Sequence, residues 1–64
     1  MEINGCQVDC IVVTAMKRMY PADTNWYIYC DVFTNEKNAN SFYHYCLESP
    51  LFKDVEMHYK SFNN

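Results

Sequence analysis

Between Trp26 and Leu47 the spacing of apolar side chains changes from every second residue to every third or fourth, and this switch decides the class of fold. Over Trp26-Tyr27-Ile28-Tyr29-Cys30-Asp31-Val32-Phe33 two sets alternate, as in a strand with one side on a core. Ala39, Phe42, Tyr43, Cys46 and Leu47 then fall at i, i+3, i+4, i+7 and i+8, which is one side of a helix. Thr34 or Asn35 can cap that helix, its side-chain oxygen accepting an otherwise unpaired backbone N–H. Glu36 suits the positive end of the helix dipole. Pro50 ends the helix, because the residue before a proline is pushed out of the helical region.

Two further strands follow from the same reasoning. From Cys6 to Met16 the residues alternate and are rich in β-branched side chains. Tyr20-Pro21-Ala22-Asp23-Thr24-Asn25 reads as a turn or loop. Leu51-Phe52 is expected to pack back beneath the sheet, and Val55, Met57 and Tyr59 alternate with Glu56, His58 and Lys60 up to Phe62 and a polar tail, Asn63-Asn64. The expectation is a single α+β domain over residues 1–64, with strands at about 6–16, 26–33 and 55–62 and a helix at about 35–48. A right-handed crossover sets the third strand parallel to the second. With the first strand between them this gives a three-stranded antiparallel sheet, ββαβ in order 2-1-3, and one helix on one face.

One helix covers one face, so the other needs an occupant. The even set Trp26, Ile28, Cys30 and Val32 carries no charge and is expected to face the helix. That parity turns Ile11, Val13, Tyr27, Tyr29, Asp31, Phe33 and His58 outward, an aromatic and aliphatic patch rimmed by charge of the kind that binds protein. These seven are the candidate partner-binding residues. The occupant is a second copy of the chain or a different protein, and an exposed strand edge can also add to a partner's sheet. A partner would also help stability, since a 64-residue core supplies only about 3–5 kcal/mol.

Cys6, Cys10, Cys30 and Cys46 have three readings. Zinc needs four ligands converging at about 2.3 Å, whereas Cys6 and Cys10 on one strand stand about 13 Å apart. Disulfides conflict with the compartment: Met1-Glu2-Ile3-Asn4-Gly5 has no leader-like character, which implies a cytoplasmic chain with reduced thiols. The parity reading makes all four small buried hydrophobes, and no cofactor or metal is expected. A zinc- or thiol-dependent regulator is the alternative.

Catalysis finds little support. His44 and His58 are not set against a cysteine, the single glycine cannot make a phosphate loop, and no catalytic residue is assigned. The longest uncharged apolar stretch, Cys10 to Met16, is too short for a membrane helix of about 20 residues. A net charge of −3 argues against nucleic acid, although Lys17 and Arg18 beside Tyr20, Tyr27 and Tyr29 are what a nucleic-acid-binding protein would use.

In length, acidity, wealth of Asn, Tyr and Phe, and the run of Trp26–Thr34, helix and Phe52–Met57, the chain resembles small bacteriophage-encoded proteins that bind and inhibit host proteins. That resemblance implies a stoichiometric inhibitor or regulator of a host enzyme, acting in the host cytoplasm. It assigns no residue.

Overall fold

The structure, a computed structural model, describes residues 1–62, so the expected tail Asn63-Asn64 lies outside the described residues. Among those residues the chain forms β1 (Glu2–Ile3), β2 (Cys6–Gln7), β3 (Cys10–Lys17), β4 (Tyr27–Phe33), α1 (Glu36–Glu48) and β5 (Phe52–Lys60). The main sheet is antiparallel with β3 between β4 and β5, and β1 and β2 form a hairpin of their own. The α+β class, the three-stranded antiparallel sheet and the helix therefore stand, with a hairpin added ahead of them.

That hairpin shortens the first expected strand. Asn4 and Gly5 both have positive φ, 54° and 80°, the backbone that a tight two-residue turn requires. The chain turns there, and Cys6 and Gln7 pair with Ile3 and Glu2 rather than joining the main sheet. The N-terminal amine donates to Val8 O at 2.8 Å and Val8 N–H donates to Met1 O at 2.7 Å, closing the hairpin at its base. Val8 is thereby buried with Ile11 and Ala39, and Met1, Ile3, Phe33 and Met57 pack around them.

Asn35 is the helix cap. Its side-chain oxygen accepts Asn38 N–H at 3.2 Å, and at the other end Ser49 N–H donates to Cys46 O before Pro50. Ala39 and Cys46 are buried, but Leu47 is exposed. The packed side therefore runs through Ala39, Phe42 and Cys46 and omits Leu47, while the largely exposed Tyr45 edges onto Phe52 with ring centres 6.2 Å apart. Phe52 opens β5 rather than plugging the sheet from below, so the third strand begins three residues early and ends at Lys60.

The side of the sheet that meets the helix is the opposite of the one expected. Ile11 and Val13 are wholly buried and Ala15 nearly so, whereas Ile28 is 87% and Val32 57% exposed. Tyr29 and Phe33 supply the reason. Their rings meet Phe42 at centroid distances of 5.9 and 5.5 Å, and Tyr29 also meets Phe52 at 5.6 Å. Flat rings of this size span the gap between sheet and helix, and aromatic pairs add about 0.5–1.5 kcal/mol beyond their burial. Ile28 and Val32 have no such partners. Cys30 shares their side and is exposed, as is Cys6 in the hairpin, so only Cys10 and Cys46 are buried thiols.

Candidate functional site

The open face is built from cross-strand rows. Val12 of β3 lies between Val32 of β4 and His58 of β5, Thr14 between Cys30 and Glu56, and Met16 between Ile28 and Lys53. The β4 side is apolar and the β5 side polar. His58 Nε2 stands 3.5 Å from Thr14 Oγ1 and 3.4 Å from Glu56 Oε1, which binds the polar column together.

A bulge shapes one end of this face. Between the Thr14–Glu56 and Met16–Lys53 pairs, Asp54 and Val55 both stand opposite Ala15. Asp54 has φ 53°, a left-handed conformation that Asp tolerates better than most residues. The extra residue restores Glu56 and His58 to the same side as Lys53. Beside it lies a shallow hollow of about 630 Å³ between Met16, Ile28 and the bulge.

A cationic and aromatic group closes the same end. Trp26 is held between the Arg18 guanidinium at 4.8 Å and Lys53 Nζ at 4.4 Å from its ring centre. Arg18 is fixed by donating through Nε to Pro50 O at 2.8 Å. Lys17 Nζ lies 5.3 Å from Tyr29 and 5.8 Å from Phe52 on the helix side. The loop between β3 and β4 is pinned by buried Asp23, whose carboxylate accepts Asn25 N–H at 3.0 Å and Met19 N–H at 3.3 Å.

The seven candidate residues scatter against this geometry. His58 is on the open face. Ile11 and Val13 are sealed under the helix and cannot meet a partner, which corrects their assignment. Tyr29 and Phe33 are half-buried against Phe42, and Tyr27 is exposed on the helix side of β4, opposite Lys17. Asp31 is half-buried on that side too, its carboxylate accepting Val32 N–H at 2.9 Å. Burial, then the Asp31 charge, push the Tyr29 phenol above its ordinary 10.0. Burial likewise raises the Cys46 thiol above 9.0, against a smaller opposing pull from Lys17.

The residues that sequence reasoning missed are Val12, Met16, Ile28, Cys30 and Val32. Their signal was the aromatic content of the other set: Tyr29 and Phe33 match the Phe42 and Tyr45 rings of the helix, while the small aliphatic set does not. Among the described residues no three His, Cys, Asp or Glu side chains gather as a metal site, and no helix is long and apolar enough to cross a membrane. Fold and face together define a small α+β domain with one shielded and one unshielded sheet surface. No family model, curated protein or solved structure matches the chain.

Proposed function

We propose that this protein is a non-catalytic protein-binding module whose contact surface is the open face of the sheet. One observation carries the reading: Ile28 and Val32 present aliphatic side chains to water at 87% and 57% exposure, beside exposed Cys30 and half-buried Val12 and Met16. A continuous apolar strip with a polar rim of Lys53, Glu56 and His58 is the anatomy of a protein interface. The absence of a catalytic role is supported by His58 meeting Thr14 and Glu56 rather than a thiol, and by the burial of Cys10 and Cys46. The resemblance to phage inhibitors would make the partner a host enzyme or regulator, held by stoichiometric binding.

The test is a comparative pull-down from lysate. Met16→Glu places a charge in the middle of the open face, and Leu47→Glu places one on the exposed side of the helix. Loss of a partner by the first and retention by the second is the expected result, with circular dichroism checking that both fold. Equal recovery by both variants would reject the face.

A second reading is favoured by the cationic end. Arg18 and Lys53 flank Trp26, and Lys17 lies at the same end on the helix side, cations that can hold the phosphates of a single strand beside an aromatic ring. The net charge of −3 weighs against it. Titrating Trp26 fluorescence with oligothymidylate at two salt concentrations decides: nucleic-acid binding would weaken steeply with salt.

A further inference from the structure

The two edges of the sheet are unlike. On β5 the edge is broken by the Asp54–Val55 bulge and carries Lys53, Asp54, Glu56 and Lys60. Bulges and charged side chains are the means by which natural sheets refuse further strands. β4 is less defended: Tyr27–Phe33 is regular and contains no Pro, Gly, Lys or Arg, its one charge being Asp31, whose carboxylate takes Val32 N–H.

The hydrogen-bond phase of that edge can be worked out. Just past β3, Arg18 N–H donates to Leu51 O at 2.9 Å, toward β5. Asp9 N–H, just ahead of β3, also donates toward β5, to Lys60 O at 2.8 Å, so the alternation slips at the start of the strand; from Arg18 inward it sends the odd-numbered groups of β3 toward β4, and the register pairs odd residues of β3 with odd residues of β4. The even groups of β4, those of Ile28, Cys30 and Val32, therefore point away from the sheet. Val32 N–H agrees, having found the neighbouring Asp31 carboxylate rather than β3.

We propose that a second copy of this chain pairs antiparallel with β4 through its own β4, about a twofold axis at Cys30, joining the two three-stranded sheets edge to edge. Cys30 is the middle residue of Tyr27–Phe33, so only this register overlaps the strand completely with outward groups facing outward groups. It sets Ile28 of each copy opposite Val32 of the other, covering the two most exposed aliphatic side chains of the strand. On the helix side it sets Tyr29, a phenol donor, opposite the Asp31 carboxylate of the second copy, and Tyr27 opposite Phe33. Charge, shape and hydrogen-bond phase are thus self-complementary, as a twofold contact demands. The pairing draws on Ile28 and Val32, which the open face also presents, so the two readings are separated by residues outside the overlap: Met16→Glu strikes the face away from the β4 edge, and Cys30→Pro strikes the edge.

A seven-residue edge contact is smaller than the about 1,200 Å² of a standard interface, which places dissociation at about 1–100 μM. Sedimentation equilibrium in reductant, from about 10 to 500 μM across that range, should show the mass climbing from 7.6 kDa toward twice that value. A constant 7.6 kDa would overturn the proposal. Cys30→Pro removes one outward N–H, at a position where an edge strand tolerates proline, and should leave a folded monomer. Undiminished dimerisation of this variant would also overturn it.

Should Cys30→Pro fail to fold, the wild type still answers. Amide exchange at Ile28, Cys30 and Val32 should slow about tenfold between the dilute and concentrated samples, with Tyr29 and Asp31 unchanged. A uniform response, or none, would count against the β4 edge. In a Cys6→Ser background, diamide should accept the two thiol hydrogens and leave a Cys30–Cys30 disulfide between copies. The paired Cα atoms would stand about 5.5 Å apart, inside the bonding range. Failure to cross-link at concentrations where the dimer predominates would exclude this register.

Discussion

The two faces of the sheet are made from the same three strands and both carry aliphatic side chains on β3 and β4, yet one is core and the other is surface. Ile11, Val13 and Ala15 disappear under α1, while Ile28 and Val32, also aliphatic, meet water. Hydrophobicity alone does not sort them. What differs is the company each side can recruit: Tyr29 and Phe33 find Phe42, and Phe42 with Tyr45 finds Phe52. The helix settles on the side whose rings match its own, and the remaining aliphatics of β4 are left in water.

The sharpest break of this contrast is a pair of truncations. Ile11→Ala, in the fully buried site, should cost about 2–5 kcal/mol in urea denaturation, most of what a domain this small possesses. Ile28→Ala removes the same atoms from the open face of the monomer and should change stability by less than about 0.5 kcal/mol. Comparable losses would mean that Ile28 is not at the surface.

Thiol chemistry probes the same division. In the native protein Cys6 and Cys30 should react promptly with Ellman's reagent, and Cys10 and Cys46 only on unfolding. With a few kcal/mol of stability the protection should be about a hundredfold in rate. Four equally fast thiols would put Cys46 outside the core.

A smaller effect comes from loosening the cover itself. Asn35→Ala removes the acceptor for Asn38 N–H and should cost about 1 kcal/mol, read from the urea midpoint. The smallest effect is alkaline. Tyr29 and Cys46 both ionise at higher pH in the folded chain than when unfolded, so the folded state keeps their protons longer. Their contribution is complete below the unfolded values and fades as pH rises above 9.0 for Cys46 and above 10.0 for Tyr29. Tyr29→Phe should therefore lose less stability than wild type when denaturation is repeated above pH 10.0.

Much of this was legible in the residues. The helix announced itself through the Ala39–Phe42–Cys46 spacing, Asn35 and Pro50, and β4 through its alternation. The loop at Tyr20–Asn25 is where its Pro, Asp and Asn suggested. The orientation of the sheet was not legible, for a physical reason. The Asp31 charge predicts that its side faces water, but β4 is an edge strand, where a carboxylate can stay half-solvated and take its neighbour's N–H while Tyr29 and Phe33 beside it pack inward. The N-terminal hairpin was signalled by Asn4-Gly5, and the alternation from Cys6 onward masked it. The bulge left no signature in the Val55, Met57, Tyr59 pattern, because its left-handed residue, Asp54, lies just ahead of that run and Val55 keeps the alternation.

The left-handed Asp54 has a consequence for how far assembly can proceed. A sheet with two receptive edges can grow without limit, head to tail, into a fibre. With its β5 side kinked by the inserted residue and studded with charge, the main sheet would be left with the β4 border alone for the proposed pairing. Two copies joined there, as proposed, would leave no receptive strand border in either main sheet, and assembly would halt as a closed pair. If the proposed pair forms, straightening that kink by deleting Asp54 would remove the stop and let pairs polymerise.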